Sequence, residues 1–155
     1  MSGAIDSILR LNDFRVMKSY FEVNESVRPA DDPELNMSVG ITLLQSTDSD
    51  DDMAVQLAVD INGEEEQFKS SGFTGCVVVT GFFAVSELRA ERPDDWEPAL
   101  IYNGVTVLFG TVRTLFADLS AASPAGRIIV PTINVAEILR AESSEGVDDA
   151  RAPAE

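Results

Sequence analysis

The chain lacks histidine altogether and has a single cysteine, Cys76. Without histidine, Ser-His-Asp and Cys-His mechanisms are excluded, and so are metal sites built on imidazole. One cysteine cannot form an intrachain disulfide, which fits a reducing compartment. Cys76 stands among small and apolar residues in the middle of a predicted strand, so we expect a buried, unreactive thiol rather than a nucleophile.

Motifs for cofactors and metals are also missing. The glycines form neither a GxGxxG pattern nor a P-loop. The acidic run 48–52 resembles a calcium loop only loosely, because the D-x-D-x-D register, the glycine and the distal glutamate are absent. The other carboxylates cluster in loops and are most simply solvated. These absences predict a binding protein with no catalytic residue, cofactor or metal, rather than an enzyme.

Basic residues are scarce, at 11 against 27 acidic ones, so the formal net charge is −16 and the pI is about 4.1. Such a chain repels nucleic-acid phosphates and anionic membrane surfaces. The acidity is explained either by solubility, including life at high salt, or by attraction to basic partners. No signal-peptide pattern and no run of about 18 apolar residues is present. We therefore expect a cytoplasmic protein without membrane insertion.

Hydrophobic residues nevertheless make up 45% of the chain, enough for a core, and they fall in a clear order. Alternation with period two predicts strands over residues 8–24, 37–45, 53–61 and 73–87. The apolar set of the first strand changes phase, which predicts a bulge near Lys18 and Ser19. Short connections favour an antiparallel meander.

Two helices are predicted after the strands. Residues 103–123 carry apolar side chains at helical spacing, while residues 88–98 are expected to form a linker. An extended crossover spans 122–133, and Asn134 starts a short second helix with Glu137 in capping-box position. The fold class is thus α+β, with a folded domain over 1–142 and a disordered acidic tail over 143–155. One apolar face of the sheet is left without cover, which predicts self-association.

Several stretches resemble the SecB family of protein-export chaperones, in the same order along the chain. FRVMKSYFEVN, from Phe14, is similar to the family's first strand, and VTGFFAVSE, from Val79, to its fourth. The stretch LIYNGVTVLFGTVRTLFADLS is similar to the main helix, with Leu108–Arg113 in place of a Leu-Phe-Pro-Tyr-Ala-Arg run. IIVPTINVAEIL resembles the closing segment.

The resemblance implies a homotetramer, assembled as a dimer of dimers, that holds non-native polypeptides in apolar surface grooves without ATP. In physical terms, a groove of this kind buries exposed apolar segments at about 25 cal/mol per Å², and many weak contacts along one client add through effective concentration. The implied function is a holdase, as in protein export.

Departures from the family pattern point to other partners. Gly110 and Thr111 stand where the family commonly has Pro-Tyr. Family members contact the translocase ATPase SecA through acidic residues of the first and fourth strands. Here Glu22 fits one such position, whereas Lys18 and Val77 occupy two others, and the tail is unlike the family's. These differences weaken the expectation of SecA docking and favour a chaperone dedicated to one client, such as the antitoxin of a toxin–antitoxin system. A small hydrophobic-ligand carrier is a further alternative.

The candidates for client binding are apolar residues in linkers or on the uncovered face of the sheet. For each of them, packing in the core is the competing interpretation. These residues are Phe73, Phe82, Trp96, Ile128, Ile129 and Val130.

Overall fold

The computed structural model describes residues 9–28 and 34–141, and the predicted tail over 143–155 lies outside them. Four antiparallel strands are followed by a long and a short C-terminal helix, which confirms the predicted α+β architecture. The elements are β1 Arg10–Val23, β2 Met37–Gln45, β3 Asp52–Ile61, α1 Glu65–Ser71, β4 Phe73–Ala84, α2 Ser86–Glu91, α3 Trp96–Ala121 and α4, residues 135–141.

The strand order is β1-β4-β3-β2, so the predicted meander is correct only for β2, β3 and β4. β1 pairs with β4 at the opposite edge from β2, as in a Greek key. The connection over residues 24–36 permits this order. This segment must cross three strand spacings, about 14 Å. A fully extended segment from residue 24 to residue 36 reaches roughly 40 Å. The expectation of a full meander was wrong because a long loop does not require sequence neighbours to pair.

β1 is irregular where the sequence changes phase. Its register against β4 shifts between Val16 and Lys18, which confirms the predicted bulge to within a residue or two, and again between Leu11 and Asp13. Each bulge moves the following side chains to the other face of the sheet. Phe14, Val16 and Phe21 consequently share the face on which the helix packs, despite the odd spacing in the sequence.

β3 and β4 supply most of the core. Val55, Leu57 and Val59 of β3 and Val77 and Val79 of β4 are completely buried, as their strict alternation predicts. Two glycines of β4 let the helix approach closely. A Cβ atom at Gly75 would lie 2.8 Å from the Phe116 ring, and one at Gly81 would lie 2.9 Å from Leu108.

Two short helices were not predicted from the sequence. After Asn62-Gly63 the chain enters α1, where the Glu64 N–H donates to the Gln67 side chain at 3.2 Å. The predicted linker over 88–98 contains the rest of α2 and the start of α3. The expected linker was wrong, and α1 was not predicted, because helices of six or seven residues are too short to show an apolar period.

α3 covers β4, β3 and part of β1, and it begins seven residues earlier than its apolar pattern. By length and composition alone α3 is apolar enough to cross a bilayer, a test that the core helix of a globular protein also passes. Here Leu100, Val112 and Phe116 are buried against the sheet. α3 is thus the core helix of this fold.

Hydrogen bonds fix the crossover to α3. The Ile128 N–H donates to Ser120 Oγ at 2.8 Å, and Arg113 Nε donates to the Val130 carbonyl at 2.8 Å. Asn134 Oδ1 accepts from the Glu137 N–H at 3.3 Å, so the predicted cap of the second helix is present. α4 lies beside β2, since Ile138 of α4 and Met37 of β2 border the same groove.

Candidate functional site

An apolar groove of about 390 Å³ lies between β2 and α4. Met37 and Val39 line it from the sheet, and Ile133 and Ile138 line it from the crossover and α4. The groove exists because α3 packs mainly over β4 and β3, so that the apolar row of β2 is only half-buried. Asn134, Glu137 and Ala141 complete its rim.

A second depression, of about 370 Å³, follows the other side of α4. It is bounded by Tyr102 and Pro98 on α3, Leu139 on α4, and Arg92 after α2. Tyr102 is about half exposed and has an apolar ring with a polar end, a combination common at binding surfaces. α4 therefore has a partly apolar surface on either side, and this suits it to contact an extended chain.

β1 carries a third apolar surface, which we call the β1 strip: Leu11, Phe14, Val16 and Met17. Their side chains are 39%, 46%, 43% and 60% exposed. The first three lie on the helix side of the sheet, opposite Phe83, Gly81 and Val79, yet α3 does not cover them. Because β1 is also an edge strand, this surface combines apolar side chains with unpaired backbone groups.

The structure separates the predicted client-binding residues. Phe73 is fully buried and stacks on Phe21 with ring centroids 5.7 Å apart, and Ile128 and Val130 are buried in the core. A client reaches these three only if the fold opens locally, so their positions favour core packing. Between the last two, Ile129 is 59% exposed.

Trp96 and Phe82 occupy intermediate positions. Trp96 is half-buried against the core, and the Arg89 guanidinium lies 4.3 Å from its ring centre, which suits the role of a lid at the start of α3. Phe82 lies on the outer face of β4, away from α3, with Arg15 at 5.3 Å from its ring. Both keep exposed area, and their binding role stays a prediction.

The outer face of the sheet contains the predicted docking position. Glu22 and Lys18 are exposed there, opposite Thr74 and Val78 of β4. Val77 is completely buried on the opposite face, beneath α3, and cannot contact a partner in this conformation. Of the three positions that were compared with the SecA contacts, Lys18 is cationic and Val77 is in the core. Glu22 is therefore the one acidic residue among them.

Cys76 faces the same outer side but is shielded by its neighbours. Burial of the thiol, followed by its hydrogen bond with Asp60, raises the pKa of Cys76 from 9.0 to about 11. The thiolate is therefore disfavoured near neutral pH, as the sequence predicts for an unreactive cysteine. In the described part of the chain, no three Cys, Asp or Glu side chains are grouped as metal ligands would be.

The chain is similar to known proteins in sequence and in structure. No protein-family profile matches the chain. An uncharacterized protein of Methanocaldococcus jannaschii, MJ0357, is 28% identical over 132 residues, which cover 84% of this chain and 82% of that protein. Among solved structures, the Mycobacterium tuberculosis SecB-like chaperone Rv1957, in complex with a ChAD peptide from the HigA1 antitoxin Rv1956, superposes with a TM-score of 0.60. The alignment covers 81% of this chain and 90% of Rv1957 at 12% identity.

The chain has a SecB-like fold. The comparison supports this at the level of the fold, since 12% identity carries no residue-by-residue assignment. A Streptococcus agalactiae protein of unknown function aligns with a TM-score of 0.43 over 80% of this chain and 97% of its own, at 11% identity.

Sequence reasoning missed the groove residues of the SecB-like fold. Met37, Val39 and Ile138 were not among the candidates, although β2 and α4 were predicted correctly. The alternation of Met37 and Val39 looks the same as that of β3, and only the position of β2 at the sheet edge leaves these two residues half-covered. The absence of charge in β2 does not single it out, because β4 is uncharged as well.

Proposed function

We propose that this protein is an ATP-independent chaperone that binds an extended, non-native segment of another polypeptide in the groove between β2 and α4. Support comes from this groove, which presents apolar side chains to solvent within a SecB-like fold. Burial of apolar area there needs no cofactor and no covalent step, so the proposed activity is non-enzymatic.

The proposed client is one specific partner, for example the antitoxin of a toxin–antitoxin system. Rv1957, which has a similar fold, was solved with a peptide from an antitoxin. General export through SecA is the second candidate and is less favoured, because Val77 is buried and Lys18 is cationic at two of the three positions that suggested docking. The protein acts in the cytoplasm in either case.

The active form proposed here is a homotetramer, a dimer of dimers. The β1 strip exposes four large apolar side chains along a strand edge, and α3 exposes Val107 and Leu119 on the side away from its own sheet. Exposed apolar surfaces of this kind are costly in water and are typical of contacts between subunits. Light scattering after size-exclusion chromatography is expected to give a mass near four times 16.7 kDa.

The decisive experiment measures suppression of aggregation of a chemically unfolded client, with and without ATP. We expect suppression at stoichiometric chaperone and no effect of ATP. Ile138→Asp, which places a carboxylate in the groove, should weaken suppression at least tenfold. Leu44→Asp, which adds the same charge on the opposite side of β2, should not. A stable monomer that leaves aggregation unchanged overturns the proposal.

Affinity capture separates the candidates. A tagged wild-type protein that retains one small client from its own cells supports the dedicated chaperone, whereas many clients together with SecA support general export. If the protein is instead a carrier of hydrophobic ligands, a lipid-like molecule should be bound stoichiometrically in the same groove, and peptides should not displace it. Native mass spectrometry of the purified protein tests for such a ligand.

A further inference from the structure

A cavity of about 760 Å³ lies on the outer face of the sheet, on the side that α3 does not cover. Tyr20, Asp60 and Ser38 line it from one row of side chains across the strands, and α1 closes its side with Glu64 and Gln67. Its volume falls within the range of small-molecule sites. The cavity is thus large enough for a ligand of several bonded atoms rather than a single ion.

The cavity contains two carboxylates and no cation. Asp60 and Glu64 line it, whereas no Lys or Arg does. Neither carboxylate forms an ion pair with a residue that the structure describes, since Lys69 of the adjoining helix α1 pairs with Glu65 at 2.9 Å. The lining therefore attracts positive charge that the described chain does not supply.

The amide groups of the wall add a further acceptor. Asn62 is fully buried behind the wall, and its Oδ1 accepts from the Asn36 N–H at 2.9 Å and from Asn36 Nδ2 at 3.3 Å. Asn36, which lines the cavity, therefore keeps its Oδ1 as a free acceptor. The buried Nδ2 of Asn62 has no hydrogen-bond partner among the described residues, an arrangement that is costly and uncommon. The wall thus holds Asn36 in one orientation even though a donor is left unpaired.

Apolar groups lie beside these acceptors. Leu35, Met37 and the ring of Tyr20 belong to the same lining. A metal ion would not use them, and the described residues offer no group of three Cys, Asp or Glu side chains for one. A ligand whose N–H donors are joined by methylene groups suits both the carboxylates and the apolar side chains.

We propose that this cavity binds a linear aliphatic polyamine, with ammonium groups at Asp60 and Glu64 and its methylene chain against Tyr20 and Met37. Ammonium groups form charge-assisted hydrogen bonds to carboxylates, and burial of the methylene groups adds to the affinity. The site goes beyond the proposed function, because it lies across the sheet from the groove and only Met37 lines both.

Titration calorimetry of the full chain with spermidine measures the binding, at about 0.15 M salt so that attraction over long distances is screened. Asp60→Asn combined with Glu64→Gln should weaken binding at least tenfold. Glu91→Gln combined with Asp94→Asn removes the same charge from an exposed region outside the cavity and should leave binding unchanged.

Two single variants test the residues around the carboxylates. Tyr20→Leu removes the aromatic ring without changing the charge and should weaken binding at least threefold. Lys18→Gln should strengthen it at least twofold, because the Lys18 ammonium lies 5.2 Å from the Tyr20 ring and repels a cationic ligand. The melting temperature of each variant shows whether it is folded.

Methionine methyl signals in the NMR spectrum locate the ligand. Met37 lines the cavity, whereas Met53 is buried at the other end of the sheet, at the start of β3. Spermidine should shift the Met37 methyl signal and leave the Met53 signal unchanged.

Three results overturn the inference. Equal weakening by the two double variants assigns binding to the overall negative charge of the chain, and so does displacement of spermidine by Mg²⁺ at an equal concentration of charge. Saturation with spermidine without a shift of the Met37 signal places the ligand elsewhere. The double variant at Asp60 and Glu64 should still suppress aggregation of a client as the wild type does, so failure of this site leaves the proposed chaperone function standing.

Discussion

The centre of the sheet and its edges have similar apolar sequences but different environments. Leu57 of β3 has no exposed area, whereas Phe14 of β1 is nearly half exposed, although both alternate with polar residues and face α3. The difference follows from the position of the strand, because one helix can cover two or three strands but not four. Uncovered apolar residues at the edges are therefore available for binding, while those of β3 and β4 stabilise the fold.

Substitution of the central residue tests this comparison most strongly. Leu57→Ala should lower the free energy of unfolding by about 2–5 kcal/mol, since it leaves a cavity between the sheet and α3. Leu44→Ala, on the exposed outer face of β2, should cost within about 0.5 kcal/mol. Urea unfolding at one protein concentration measures both. Similar losses would contradict the distinction between centre and edge.

Substitutions in the β1 strip should weaken association between subunits rather than the stability of the fold. Phe14→Asp places a carboxylate in the proposed contact between subunits and should weaken association about a hundredfold, equivalent to about 3 kcal/mol. Tyr20→Asp, on the outer face of the same strand, is the matched control. Light scattering over a dilution series gives the dissociation constant. If both variants weaken association equally, the contact between subunits does not lie on the helix side of β1.

Ionic strength should change the stability of the protein by screening repulsion between surface carboxylates, and the acidic loops should contribute most to this change. Ion pairs between described residues number three, all with exposed side chains, so most carboxylates repel one another. Salt screens this repulsion and should raise the melting temperature, by about 2–4 °C for each kcal/mol in a domain of this size. Replacing Asp48, Asp50 and Asp51 by Asn should reduce the increase seen between 0.05 and about 1 M salt. A melting temperature independent of salt would show that the acidity is not destabilising.

Ionisation of Cys76 should have the smallest effect on the free energy of unfolding, and only at high pH. Burial raises the pKa of Cys76 in the folded protein to about 11, above its ordinary value of 9.0, so folding favours the neutral thiol. The resulting stabilisation is complete below about pH 9 and is lost as the pH rises towards 11. At pH 8 the native thiol should react with a disulfide reagent far more slowly than in urea. Cys76→Ala should remove the part of the pH dependence above 9, and rapid reaction of the native protein would place the thiol at the surface.

The fold was predictable where the pattern is long and regular. β2, β3 and most of α3 were found from periodicity, and the β1 bulge from its change of phase, because each signal depends only on local geometry. α1 and α2 were missed because their sequences are too short for a period. Among the predicted site residues, Ile129 is exposed and its neighbour Ile128 is buried, a difference that the run of three branched residues does not reveal.

The sequence by itself determined the four strands, the long helix, the absence of histidine chemistry and the strong negative charge, since these depend on residue identity and spacing along the chain. The tertiary structure alone decided that β1 and β2 lie at opposite edges and that α3 covers β4 and β3 in preference to β2. Strand order depends on contacts between residues far apart in the chain, which no local pattern encodes. That order leaves Met37 and Val39 beside α4 as a groove instead of a core.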